Sequence, residues 1–141
     1  MYQKLIRSSI MVLFAAILLF GFWEMVGVDV SAGKRLADNH CGVCHDLTNN
    51  KLHEKGPYLW GVVNRQAGSV GFNYSDAFRN RVSSTPFVWD EAHLDEFLKA
   101  PNEFLTGTRM TQTTNKHALA FSGITDRANR KNLIAYLKTL H

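Results

Sequence analysis

Residues 29–141 read as an all-α domain behind a single N-terminal transmembrane helix, residues 1–28, and three observations point there. Apolar residues recur at helical spacing in three stretches. The segment between the first two is glycine-rich, with little period-2 alternation and no visible βαβ unit. One nearly uncharged apolar run opens the chain. With 141 residues, 45% hydrophobic and 20% charged, there is room for one small domain plus a little extra, which excludes a multidomain enzyme. The composition is neither low-complexity nor strongly charged, so bulk disorder is excluded as well.

The opening run, Ile10 to Trp23 (IMVLFAAILLFGFW), continues to Val28 with Glu24 as its one interruption, 19 residues in all. At 1.5 Å per residue this is about 28 Å of helix, which just spans a hydrocarbon core. Nine of its 14 uncharged residues are Ile, Leu, Val or Phe, together contributing about −3 to −5 kcal/mol to insertion. Glu24, near the end, does not cancel that. Lys4 and Arg7 precede the run without an acid beside them, so the positive-inside rule keeps the N-terminus cytoplasmic and puts residues 29–141 outside. A cleaved secretory leader begins similarly. Its best cleavage site, Val30-Ser31-Ala32, lies far from the apolar run and cuts into the next helix, so an uncleaved anchor is expected. Either way the domain lies outside the cytoplasm.

Residues 29–141 carry 14 Lys and Arg against 11 Asp and Glu, a mild bias that is no nucleic-acid footprint. No repeat and no polar linker is visible, so the domain rides close to the membrane. The first helical pattern runs from Ser31 to about Val43, with Ser31 as cap and Ala32, Leu36, His40 and Val43 near one face. A short helix is expected around Ser75 to Arg81. Asp90 caps the next, in which Leu94, Phe97 and Leu98 repeat at i, i+3 and i+4 before Pro101 stops it. Thr125 caps the last and strongest, in which Leu133, Tyr136, Leu137 and Leu140 repeat to the C-terminus.

The chain has two cysteines, Cys41 and Cys44, too close for a disulfide to close more than a trivial loop. Cys41-Gly42-Val43-Cys44-His45 is the c-type haem attachment pattern. Two thiols at this spacing reach the two vinyl groups of one porphyrin as thioethers, and the adjoining histidine then lies under the iron. A thiol-redox site uses C-x-x-C too, but at a helix start within a βαβ pattern that is missing here. Structural zinc needs two further ligands; His40, His45 and His53 are near, yet neither a second C-x-x-C nor an H-x-x-x-H follows.

From about Asp29 onward the sequence resembles the class I cytochromes c, the mitochondrial and related bacterial kind. After the attachment motif, Gly56-Pro57-Tyr58-Leu59-Trp60-Gly61 is similar to the family's G-P-x-L-x-G; Arg65 and Gly71-Phe72-Asn73-Tyr74-Ser75-Asp76-Ala77 follow in the family's order. Trp89 resembles the tryptophan near the haem propionates, Pro101 the proline ending the third helix, and Gly107-Thr108-Arg109-Met110 the family's G-T-K-M ligand loop. The resemblance implies a class I cytochrome c fold around one haem c, covalent through Cys41 and Cys44, with His45 and Met110 as the axial iron ligands. It further implies that the Pro57 carbonyl accepts the proton on the far nitrogen of His45, and that Arg65, Tyr74, Trp89 and Thr108 bond the propionates or line that edge. His53, His93 and His117 are rival iron ligands by residue type alone. Met110 is the only methionine in residues 29–141.

Three departures accompany the likeness. Ten residues (TQTTNKHALA) separate Met110 from Phe121-Ser122-Gly123-Ile124, where short family members have about one. Phe97 replaces the tyrosine that in the family donates to the methionine sulfur. Asn102 and Glu103 stand in place of two lysines, leaving Lys99, Arg109 and Lys55 as docking charges. The function implied is a monohaem electron carrier, not an enzyme, passing single electrons from a quinol-oxidising complex (quinol-cytochrome c oxidoreductase) to a terminal oxidase in the respiratory chain. It would sit on the periplasmic side of the inner membrane, with no nucleic acid and no small-molecule substrate. Two alternatives stand beside this: an accessory haem subunit held against an oxidase, and a haem-based peroxidase or gas-binding module with a labile sixth ligand.

Overall fold

The computed structural model describes residues 27–111 and 121–141. The expected anchor of residues 1–28, all but its last two positions, and most of the expanded loop after Met110 lie outside the described residues. Among the described residues no helix is long and apolar enough to cross a membrane.

Helix α1, Val30–Leu36, is capped by Asp29, whose carboxylate accepts from the Ala32 amide, and not by the expected Ser31. Either residue has the chemistry of a cap; Asp29 is favoured because its own amide also donates to the Asn132 side chain at 2.9 Å, tying the helix start to the C-terminal helix. The buried face differs too. Gly33, Ala37 and Cys41 are buried, whereas His40 and Val43 are exposed. The cause is that α1 runs into a π-helical turn, Ala37–Cys41, in which the Gly42 amide reaches back to the Ala37 carbonyl at 2.9 Å. One turn of wider winding shifts every later residue around the axis.

Helix α2, Asp76–Ser84, starts at the Ser75 cap and extends three residues past the expected end. Helix α3, Glu91–Lys99, is capped by Asp90 as expected, and Ala100, extended before Pro101, ends it. Pro101 then opens the single turn α4, Pro101–Phe104. Helix α5, Arg127–Leu137, is capped by Asp126, one residue beyond the expected Thr125, and it stops before the C-terminus. Leu140 is nevertheless buried along with Leu133 and Leu137. The long segment between α1 and α2 contains turns, and its one sheet-like feature is an antiparallel bridge between Gln66 and Val88.

Helices α1 and α5 cross at Gly33. A Cβ there would lie 1.9 Å from the Asn132 carbonyl oxygen, so the two backbones approach as only glycine allows. Against this crossing packs α3, through Leu94 and Leu98. Arg130, 4% exposed, forks onto the Asp95 carboxylate at 2.7 and 3.2 Å and donates to the carbonyls of Ile124 and Thr125. One buried guanidinium thereby joins α3, α5 and the segment leading into α5. Beside it lies an aromatic cluster: Trp89 sits 4.9 Å from Phe87 and 5.1 Å from Phe97, ring centre to ring centre, with Phe104 against all three.

Candidate haem-binding site

The attachment motif occupies the turn that follows the π-helical residues. The amides of Cys44 and His45 both donate to the Cys41 carbonyl, at 3.0 and 2.9 Å. From there the chain loops out and returns, pinned by the Gly56 amide on the Cys44 carbonyl at 2.8 Å and the Leu59 amide on the Asp46 carbonyl at 2.9 Å. The Asp46 carboxylate ties the loop from inside, accepting from the Leu52 amide and from the Thr48 amide and hydroxyl. Those bonds, Leu52 first, hold its carboxyl below the usual carboxylate range.

The returning loop brings Pro57 to His45. Nδ1–H of His45 donates to the Pro57 carbonyl at 2.6 Å, and this is possible only in the tautomer that leaves the lone pair on Nε2. Burial pushes the imidazole below its ordinary pKa, outweighing the Pro57 carbonyl, which pulls the other way. The ring is therefore neutral with its lone pair on Nε2, the form a metal ligand needs. Among the described residues Nε2 takes no hydrogen bond. A Cβ on Gly56 would fall 2.3 to 2.8 Å from three atoms of the His45 ring, so glycine is required for the ring to lie where it does.

Both cysteines are free thiols. Cys41 is 2% exposed, and burial, with the nearby Asp38 charge second, pushes its thiol up to about 12. A thiol that stays protonated at neutral pH is a poor nucleophile. Among the described residues no group of three His, Cys, Asp or Glu could hold a metal ion, so the zinc alternative finds no donor set there.

The expected Met110 turn is a short 3-10 segment, Arg109–Thr111, in which Met110 is half-buried. Thr108, buried, accepts from the Met110 amide on its hydroxyl at 3.4 Å, and its carbonyl accepts from the Thr111 hydroxyl. Arg65 donates to the carbonyls of Trp60 and Tyr58 at 3.0 and 2.9 Å and lies over the Tyr58 ring. Two of its five N–H groups thus shape its own loop, and burial lowers its pKa. Its carbonyl takes the Trp89 amide at 2.9 Å. Tyr74 stacks on Phe78 at 4.4 Å, and Phe78 in turn on Trp89. Burial raises the Tyr74 phenol, with Arg65 opposing, so Arg65, Tyr74 and Trp89 share one environment. His45 and Pro57 form a second group, Thr108 and Met110 a third; no hydrogen bond among the described residues joins the three.

Of the rival ligands, His93 is held by Asp90 at 2.9 Å and packed on Phe87, and His53 is exposed and stacked on Tyr58. His117 lies outside the described residues. The sequence reading missed Asp46, the π-helical turn and Arg130. Only Arg130 left a signal: it stands three residues before Leu133, on the stripe that turns inward.

A half-buried neutral imidazole with a free Nε2, two unpaired thiols in the preceding turn and a separate half-buried thioether form a donor set suited to a covalently held haem. Comparison with known proteins points the same way. A family model described as Cytochrome c matches residues 30–141. The chain is 35% identical over 113 residues to cytochrome c of Euglena viridis, covering 79% of this chain and 97% of that protein. It is 35% identical over 112 residues to cytochrome c of Tetrahymena pyriformis, covering 79% and 89%. To cytochrome c2 of Rhodoblastus acidophilus it is 39% identical over 98 residues, covering 69% and 79%. The chain belongs to the cytochrome c family. It is an electron carrier that works with redox partner proteins, not an enzyme, and its cofactor is one haem c joined through Cys41 and Cys44.

Proposed function

We propose that this chain is a membrane-anchored monohaem cytochrome whose iron is held by His45 and Met110. It carries single electrons from a quinol-oxidising complex to a terminal oxidase on the outer face of the inner membrane. The observation that carries the ligand reading is the 2.6 Å bond from His45 Nδ1–H to the Pro57 carbonyl. A histidine whose far nitrogen is committed in this way is fixed in orientation and made a stronger donor through Nε2. The haem, once bound, supplies the one-electron couple.

The chain's own residues tune that couple. Met110 offers a soft thioether, which favours the ferrous state, and the apolar surroundings raise the potential further. Arg65, Tyr74, Trp89 and Thr108 hold the propionate edge in this reading. The anchor rests on the 19-residue run from Ile10 to Val28 and on Lys4 and Arg7 before it. A carrier tied to the membrane draws on donors and acceptors in the same membrane, which supports the two complexes named.

Met110→Ala tests the reading. A hundredfold loss of the thioether's preference for ferrous iron lowers the potential by about 120 mV, at about 59 mV per tenfold for one electron. The reduced variant should also take up carbon monoxide, which the unaltered protein should hardly bind. An unchanged spectrum and potential would refute the assignment of Met110. Wild-type protein that binds carbon monoxide readily at neutral pH would favour the gas-binding alternative, which the missing hydroxyl at Phe97 supports.

A further inference from the structure

A groove opens where the chain enters the domain. It runs between the first residues of α1, the start of α3 and one face of α5, with Val28, Val30, Ala92 and Ile134 as its apolar lining. Val28 and Val30 are 52% and 41% exposed, two of the five exposed large apolar side chains among the described residues.

The charges around the groove are unequally paired. Lys138 meets Glu91 at 2.5 Å and Asp95 is taken by the buried Arg130, so both acids of the groove are neutralised in place. Arg127 and Lys131, both exposed, have no ion pair among the described residues. They stand four apart on α5, hence on one face, and like charges at that spacing disfavour a helix. Arg127 is also the first residue of α5, in a turn that holds no acid, where the helix dipole disfavours a cation. The Asp126 carboxylate is engaged as the cap, accepting from the Asn129 amide at 2.7 Å. Both cations are thus placed against the preference of the helix that carries them, and an anionic partner offsets that cost.

We infer that this groove is a lipid-facing surface: Arg127 and Lys131 bind the phosphates of anionic phospholipids while Val28 and Val30 enter the apolar layer beneath the headgroups. The inference deepens the anchored reading and rests on it, because the apolar run of 19 residues ends at Val28 itself. A chain leaving the bilayer there brings this face to the headgroups first. A tether alone leaves the domain free to turn; a basic face rimmed with valines fixes which side lies down. None of the residues assigned to the haem lines the groove, so lipid contact and electron transfer do not compete for the same side chains.

The test uses the full-chain holoprotein on vesicles of phosphatidylcholine alone and of phosphatidylcholine with about a third phosphatidylglycerol. Flotation reads retention, and acetylation of individual lysines by a water-soluble reagent, mapped by mass spectrometry, reads the face. Lys131 should be labelled about five-fold more slowly on the anionic vesicles than on the neutral ones, the effect of about one charge held at an anionic surface. Lys51, exposed and outside the groove, should be labelled equally on both. The protection of Lys131 should shrink as salt rises past about 0.1 M, and Arg127→Glu should reduce it to under about two-fold. Equal labelling of Lys131 on the two vesicles overturns the proposal, as does equal protection of Lys51. Protection of Lys131 on neutral vesicles that grows with the density of protein assigns the face to a second copy of the chain, and overturns it too. Failure of the anchor reads differently. Protein that floats with anionic vesicles at low salt only, with Lys131 protected, refutes the anchor and keeps the face, whereas protein that floats with neither vesicle refutes both.

Discussion

Placing an alanine at Gly33 sets two effects of opposite sign against each other. On a free helix Gly→Ala gains about 1 kcal/mol. Here the new methyl would lie 1.9 Å from the Asn132 carbonyl oxygen, 2.5 Å from its carbon and 3.0 Å from Tyr136 Cβ. Restoring ordinary contacts of about 3.5 Å requires the crossing of α1 and α5 to open by roughly 1.5 Å. Overpacking of this kind costs about 1–3 kcal/mol. The opening also loosens Ala37, Cys41 and Leu133, all buried along this seam, and one Leu side chain returned to water costs about 2 kcal/mol more. Overlap wins, with a net loss of about 2–4 kcal/mol. For a domain of this size that lowers the melting temperature by about 8–32 °C, at about 4–8 °C per kcal/mol. Far-ultraviolet circular dichroism of the ferric holoprotein reads it directly, with exposed Ser31→Ala as control. A Gly33→Ala protein melting within about 3 °C of the parent, or above it, would refute the reasoning.

Arg130→Met leaves Asp95 without its partner and two carbonyls without their donor. Such losses cost about 3–5 kcal/mol when both groups are buried, and with Asp95 about a third exposed the expectation is the lower end. At about 2 kcal/mol per molar urea, the unfolding midpoint should fall by roughly 1.5 M; an unmoved midpoint would mean the ion pair is not holding α3 to α5. The depressed carboxyl of Asp46 contributes stability that is complete above its unfolded pKa of about 3.9 and is lost as pH falls through its lower folded value. Asp46→Asn should therefore flatten the decline of melting temperature below about pH 4, and a decline of equal steepness in the variant would contradict the loop-tying role of this side chain.

The fold was legible where one residue alone could do a job. Asp90 is a cap because no better candidate stands beside it, and Pro101 ends α3 because it cannot be preceded by helical backbone. Where two polar residues compete, the choice lies in tertiary contact: Asp29 over Ser31 through its bond to Asn132, and Asp126 over Thr125 with Thr125 held by Arg130 through its carbonyl. The π-helical turn leaves no mark in a 3.6-residue pattern, which is why His40 and Val43 were expected inside and are exposed. In the site, the chemistry of Cys41, Cys44 and His45 follows from their spacing, and the Pro57 bond came with the family likeness. The use Arg65 makes of two backbone carbonyls did not, since nothing local marks an arginine as turned inward.

The crossing at Gly33 joins parts of the chain about a hundred positions apart, and so α1 finds its partner only when the last helix has been made. Cys41, at the end of the π-helical turn, lies against that last helix. Once α5 arrives, the same sulfur is enclosed and its proton held up to about 12, out of reach as a nucleophile. The meeting of the two ends of the chain thus forms part of the wall around one of the two attachment sulfurs.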